Sequence, residues 1–473
     1  LMEKLKIKGG IATNWEGKPA ARIADIFTPT HLRLPLASRR ILFDKILVQD
    51  GDQVEAGHVL ARAEKQFDIP LLAPLGGTVT TEKDEDGKVT AIRVDELNQR
   101  ERERDLSPEP PAHAETGTQH IELRKRFLEG GGWPLLHTFP EMGPPDPEAQ
   151  LDGVVISWAR YEPFRPHGHV LIDDQRLAEF ALGLEALQSM FTGYQKINLI
   201  VSHERDRTFS ESLLERCRGY AWLDIKSVNK VYPYGHPGAI LLNMAEAKVR
   251  KSHPYWAMCP EAVLAMHRIL VTNRPVLSRV ISLGGPGIAE PTHIRVYPGT
   301  PVRELLEGRM TEGAPDKYRF FRGGVFTGEE LDPEVDSLNL EDDAITVIRK
   351  GDYQQFLGFM RPGFHDHSMT RTFVADYFPL LEKRLSTRKN GELRACIQCN
   401  KCEDVCPVPY LMPYLYHRFL PLELIDEMEA AGIWNCIECG CCSYACPSKI
   451  PLLEEIKKGK RLIIEEMEEM EED

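Results

Sequence analysis

Two cysteine runs near the end of the chain constrain its fold more than any other feature: CIQCNKCEDVCP from Cys396 and CIECGCCSYACP from Cys436. Each reads Cys-x2-Cys-x2-Cys-x3-Cys-Pro, first as Cys396, Cys399, Cys402, Cys406 and Pro407, then as Cys436, Cys439, Cys442, Cys446 and Pro447. Three thiolates so closely spaced can reach three corners of one iron–sulfur cube. The fourth, turned away by proline, ligates a second cube where two are held together. That rule assigns Cys396, Cys399, Cys402 and Cys446 to one [4Fe–4S] cluster, and Cys436, Cys439, Cys442 and Cys406 to the other. Structural zinc also uses Cys-x2-Cys pairs, but its four tetrahedral ligands normally form two knuckles separated by a loop. Here a third cysteine follows at once and a fourth precedes proline, twice, which favours iron–sulfur. Between Cys406 and Cys436 lie LMPYLYHRFL and LELIDEMEAAG, both helical in pattern, so an α-helical ferredoxin is expected. Cys441 falls among the ligands as a spectator, and Cys217 and Cys259 stand alone as buried, inert thiols.

The other totals bound what can surround this tail. At 473 residues the chain exceeds what a single core serves, so several domains are expected. A formal charge of −14 repels phosphate backbones, and no basic patch offsets it, which excludes nucleic acid as a partner. No apolar run approaches the roughly 18 residues of a membrane span, so any membrane association runs through partner subunits. The start, LMEKLKIKGGIATNW, lacks the apolar core of a signal peptide. The expected compartment is the reducing cytoplasm, where clustered cysteines mean metal rather than disulfides. The closing EEMEEMEED reads as a solvated helix end.

Along the chain, residues 33 to 95 alternate β-rich runs with glycine turns. QDGDQVEAG and APLGGTV fit tight hairpins, which suggests a flattened β-barrel. The spacing is like that of lipoyl carriers, but Lys65 lacks their sequence context and is read as a surface charge. A charged, then Pro/Ala/Thr-rich stretch at 97–118 is a linker. Beyond it, LDGVVISWA and KINLIVSH read as strands. They flank a helix with Leu177, Phe180, Leu184, Leu187 and Phe191 on one face and Asp173 or Asp174 as cap. Strand, helix, strand implies parallel pairing in a layered α/β domain. VISLGG, THIRVYPG and AITVIRKG, with PVRELLEG as a short helix, suggest a β-grasp-like module. The expected division is α+β and multidomain. It runs as a barrel-sandwich domain at 1–96, the linker, an α/β domain at 119–275, the β-grasp-like module with connecting segment at 276–383, and the ferredoxin at 384–473.

A flavin or nicotinamide would need a glycine-rich turn that lets backbone amides approach phosphate. LEGGGWPLL (Gly130, Gly131, Gly132) and SLGGPGIAEP (Gly284, Gly285, Gly287) are the candidates, and neither is G-x-G-x-x-G. YPYGHPG, from Tyr232 to Gly238, and GFHDHS, with His365, Asp366 and His367, are read as turn or packing segments rather than metal sites.

The order of parts and the stretch CIECGCCSYACPSKIPLLEEIK resemble the C subunit of the Rnf complex, a membrane-bound ferredoxin:NAD oxidoreductase. The body is similar to the homologous A subunit of the sodium-pumping NADH:quinone oxidoreductase. That likeness runs through KGGIATNWEGKPAARI, FLEGGGWPLLHTFP, YGHPGAI, SLGGPGIAEPTHIRV and GDYQQFLGFMRPGFHDHSMTRTF. The resemblance implies a flavin loop of the type G-x-G-G-A-G-F-P beside a Glu-x-Glu-Pro segment. The chain has Gly130-Gly131-Gly132-Trp133-Pro134 and RYEPF instead, keeping only Glu162 and Pro163. These departures argue against FMN and for a flavinless A-subunit-like body with an Rnf-like iron–sulfur tail. The implied function is a peripheral electron-transfer subunit. It would relay single electrons through two [4Fe–4S] clusters between a soluble donor or acceptor module and a membrane-embedded or quinone-linked one. Two alternatives stand beside it: an NADH-oxidising subunit with FMN near Glu162 and Gly130 to Gly132, and a docking platform stiffened by its clusters.

Overall fold

The computed structural model describes residues 3–12, 14–98, 119–174, 176–191, 196–203, 207–217, 219–244, 253–311, 315–350, 364, 374–378, 381–383 and 394–472. The linker from residue 99 onward and His365, Asp366 and His367 lie outside them.

A four-stranded and a three-stranded sheet form the barrel-sandwich hybrid. One has the order Leu32–Pro35, Val89–Asn98, Gly76–Lys83, Gln53–Val54, and the other Lys45–Ile46, Val59–Ala63, Ile69–Leu72. Their inward residues Leu32, Leu34, Leu60, Ile69, Val79 and Ile92 are fully buried, as strand alternation requires. Gly51 and Gly57, in QDGDQVEAG, have φ of 90° and 88° and make real turns. Gly76 and Gly77 do not. They lie inside a strand, where a Cβ on Gly77 would stand 2.2 Å from the Asp95 carbonyl oxygen. Close backbone approach at a register shift is what that pair supplies, and the expected hairpin tip is absent there. Lys65 is exposed.

The α/β domain carries a six-stranded sheet: Glu3–Lys4, Leu223–Val228, Ile197–Ser202, Gly153–Ser157, Tyr255–Met258 and Leu136–Phe139. All pairs are parallel except the last. Gly153–Ser157 and Ile197–Ser202 are buried on both faces, so they read as unbroken apolar runs. The helix Leu177–Ser189 between them buries Phe180, Leu184 and Leu187. Asp173 acts one step early, accepting from the Arg176 amide at 2.9 Å, while Arg176 itself is the N-cap residue.

A second six-stranded sheet has the order Glu329–Leu331, Tyr318–Arg322, Ala344–Arg349, Arg279–Gly284, Thr292–Val296, Ile23–Ala24, with the short helix Val302–Leu306. Its core is Ile281, Leu283, Ile294, Val302, Leu305, Ile345 and Val347. The C-terminal domain is helical, with Pro413–Phe419, Ile425–Ala430 and the long Leu452–Glu472 around the cysteine loops.

The segment before the barrel ties these bodies together. Glu3–Lys4 extends the α/β sheet, and Ile23–Ala24 extends the second sheet. Between them the Gly10 amide donates to the Val405 carbonyl at 2.8 Å, and Trp15 packs edge-on against Tyr444 at 5.9 Å. Gly9, at φ 68°, would place a Cβ 2.6 Å from the Cys406 carbonyl oxygen, so the strand runs flush against the first cysteine motif.

Candidate iron–sulfur site

The two cysteine loops share a backbone. In each, the second and fourth residues after the first cysteine adopt left-handed φ: Gln398 at 53° and Asn400 at 59°, Glu438 at 54° and Gly440 at 72°. A short helix follows, Lys401–Asp404 in one and Cys441–Ala445 in the other. Such turns aim closely spaced sulfurs to one side of the chain.

Cys396, Cys399, Cys402 and Cys446 line one pocket, so a cysteine from the second motif joins three from the first. Tyr414, His417, Ile450 and Leu452 complete its wall. His417 is held through Nδ1 by Glu455, 3.0 Å from both carboxylate oxygens. Burial pushes the Cys402 thiol up to about 11, and the neighbouring Cys446 adds to the shift. Among the described residues, no three Cys, His, Asp or Glu side chains meet closely enough to hold a single metal ion. The pocket thiols ring a space instead.

Cys406 falls in the other neighbourhood. Burial pushes its thiol up to about 12, against a hydrogen bond from the Val408 amide, and the Cys439 and Cys436 sulfurs repel its charge further. Cys436 is raised to about 11, chiefly by burial. Cys442 is raised well above the ordinary thiol range by burial and by Cys436, Cys439 and Cys406. Cys439 is raised by its hydrogen bond with Cys441 and by burial. Thiols so placed keep their protons until a metal replaces them, so loading iron must release protons. All eleven cysteines are free of disulfides. An all-thiolate donor set in an apolar surround suits iron–sulfur clusters, and each neighbourhood gathers four candidate ligands.

The wall behind the second loop comes from the body. Tyr232, in YPYGHPG, donates its hydroxyl to the Cys439 carbonyl at 2.7 Å, and its ring stacks on Phe326 at 4.8 Å. Phe326 also meets Tyr444 edge-on at 5.1 Å. Gly238 lies against Ile437, the Asn243 amide donates to the Pro407 carbonyl, and Lys460 donates to the Cys436 carbonyl and to Glu438. None of these residues follows from cysteine spacing. YPYGHPG stands out in the sequence only as a cluster of turn formers.

At Gly130 to Gly132 the glycines make room for neighbouring groups of the chain. Gly130 and Gly132 face Ile269 and the Phe127 ring so closely that a Cβ would stand 2.6 Å and 2.4 Å from them. Trp133 is fully buried, with its indole N–H donating to the Pro145 carbonyl. Glu162 is buried and accepts from the Phe326 and Thr327 amides at 3.0 and 2.8 Å, from the Thr327 hydroxyl, and from Arg165. Arg165 also pairs with Asp343 across the seam between the α/β domain and the second sheet, as does Arg160. Burial raises the Asp343 carboxyl, but the two guanidinium groups outweigh it and hold Asp343 well below the usual range.

Comparison with known proteins fits this anatomy. Residues 5–95 match the NqrA N-terminal barrel-sandwich hybrid domain, residues 118–274 the NqrA second alpha/beta domain, and residues 385–450 the 4Fe-4S dicluster domain. Much of the body is thus similar to NqrA domains, and the tail is similar to a 4Fe-4S dicluster domain. The A subunit of the Na(+)-translocating NADH-quinone reductase of Photorhabdus laumondii is 24% identical over 460 residues, which cover 96% of this chain and 98% of that protein. The A subunits of the same reductase from Glaesserella parasuis and Rhodopirellula baltica are 25% and 24% identical, each match covering 85% of this chain and 86% of theirs. No described helix of this NqrA-like chain is long and apolar enough to cross a membrane.

Proposed function

We propose that the chain is the electron-relay subunit of an Nqr- or Rnf-like redox complex, holding two [4Fe–4S] clusters with exchanged ligands. Cys396, Cys399, Cys402 and Cys446 would hold one, and Cys436, Cys439, Cys442 and Cys406 the other. The observation that carries the reading is the pocket in which Cys446 joins the first three cysteines of the other motif. Bound clusters of this type store and pass single electrons. The chain's own contribution is to keep the two thiol sets adjacent. Each set has two buried cysteines, Cys402 and Cys446 in one and Cys439 and Cys442 in the other, but only the first has an exposed one, Cys399. A set open at one cysteine and a set with none exposed suit exchange with a separate protein at one end and with the complex at the other. The relatives named above are subunits of an NADH-quinone reductase, which supports a partner assembly that includes membrane subunits and quinone chemistry. The reading is tested on anaerobically purified protein by iron and sulfide analysis with electron paramagnetic resonance. About eight irons and two reducible centres are expected. Zinc, or about four irons, sinks it.

A further inference from the structure

Glu162 belongs to the α/β domain, yet both of its carboxylate oxygens are used up on the far side of the seam. Oε1 takes the Phe326 amide, the Thr327 amide and the Thr327 hydroxyl, and Oε2 takes the same hydroxyl and Arg165. Gly324 comes so close that a Cβ there would stand 2.2 Å from the Glu162 carboxyl carbon. The turn that carries Phe326 is therefore fixed by one buried side chain. Phe326 in turn is the residue against which the second cysteine loop is seated. Its carbonyl oxygen would lie 2.5 Å from a Cβ on Gly440, and its ring stacks on Tyr232, whose hydroxyl holds the Cys439 carbonyl. Asn400, the matching residue of the first loop, is exposed.

We propose that Glu162 is a positioning residue for the second cysteine set: it fixes Phe326, and through Phe326 and Tyr232 the Cys439–Gly440 backbone. Since exposure and hydrogen bonding around the sulfurs set cluster potentials, a shift of that backbone shifts the potential of the second centre.

The inference rests on the two-cluster reading, and the experiment separates the two. In the full-length protein, Glu162→Gln keeps an acceptor for the Phe326 and Thr327 amides but removes the charge. Iron content should stay full, and the second centre should keep its midpoint potential more nearly than in Glu162→Ala, which removes the acceptor and should shift it while the first centre stays. The Cys446→Ser and Cys406→Ser variants identify which signal belongs to which centre. Tyr232→Phe, which deletes only the bond to Cys439, should change the line shape of the second centre alone. A third measurement needs no iron. In metal-free protein, Glu162→Ala, which removes the acceptor, should speed amide hydrogen exchange at Phe326, Thr327 and Gly440 and leave Asn400 unchanged. Equal shifts in both centres, no shift in the second with either variant, or unchanged exchange at Gly440 overturns the proposal. Absence of iron from the wild-type protein would defeat the relay reading, and the exchange measurement would still decide the role of Glu162.

Discussion

The two cysteine loops have the same backbone and opposite surroundings. Ile397 and Ile437 occupy the same motif position, yet one is 66% exposed and the other 4%. Asn400 and Gly440 share a left-handed φ, but Asn400 is exposed while Gly440 is pressed against the Phe326 carbonyl. Cys399 is exposed and its counterpart Cys439 is buried. What separates the loops is therefore not their own sequence but what the rest of the chain brings to them. The first faces outward, and the second is walled by Tyr232, Phe326 and Lys460. Since exposure and hydrogen bonding to the sulfurs set cluster potentials, near-identical motifs can acquire unlike redox properties from their neighbours alone.

The strongest way to break this comparison is to remove the cysteines that cross between the loops. Cys446→Ser should strip the outward centre and Cys406→Ser the walled one, each losing about four of roughly eight irons. Loss of the centre belonging to the mutated residue's own motif, seen by paramagnetic resonance, would undo the exchange.

Exchanging the glycine and asparagine sharpens it next. Gly440→Asn forces a side chain into the Phe326 carbonyl and should cost about 1–3 kcal/mol in denaturant unfolding. Asn400→Gly, in open surroundings, should stay within about 0.5 kcal/mol. Equal costs would mean that the wall is not felt.

Acid probes the wall differently. His236 caps the short helix Pro237–Leu241 by accepting the Gly238 amide on Nδ1, which requires the neutral ring, and burial pulls its pKa down to about 4. Because the folded pKa lies below the unfolded value, its contribution is complete above about pH 7 and is lost as pH falls from about 6.5 toward 4. By pH 5 the loss should reach about 2 kcal/mol. Gly238 touches Ile437, so iron release in acid should begin at the walled centre. A His236→Asn variant should show a flatter pH profile by thermal unfolding, and an unchanged slope would contradict this assignment.

The smallest effect belongs to the open face. Ile397→Ser should change stability by no more than about 0.5 kcal/mol, whereas Ile437→Ser should cost about 2–4 kcal/mol through a buried unsatisfied hydroxyl and a cavity. Similar values would erase the distinction between the loops.

Much of the site was legible because metal ligation is written in short spacing. The cysteines, the helical segments between the motifs and the alternation of the barrel and α/β strands are local signals that one sequence carries. The wall was not legible. Glu162 and Thr327, or Tyr232 and Cys439, meet only after the sheets have formed, and no periodicity links positions so far apart. Glu162 even pointed elsewhere, since its Glu-Pro context suggests a flavin site, while its carboxylate is saturated by the second sheet and Arg165. The glycines show the same limit: at Gly77, where the sequence suggested a hairpin turn, the missing Cβ makes room for a neighbouring strand, and at Gly132 it makes room for the Phe127 ring.

The segment from Glu3 to Ala24 bears on how such a molecule comes into being. Its partners Ser227, Val405 and Tyr444 are synthesised far later, the last of them roughly 400 residues on, or about 20–80 s at ribosomal speed. During that interval the strap can join the two sheets of the body, at Ser227 and His293, before Val405 and Tyr444 exist. The walled sulfurs emerge last, so the body that seats them is already made when they leave the ribosome.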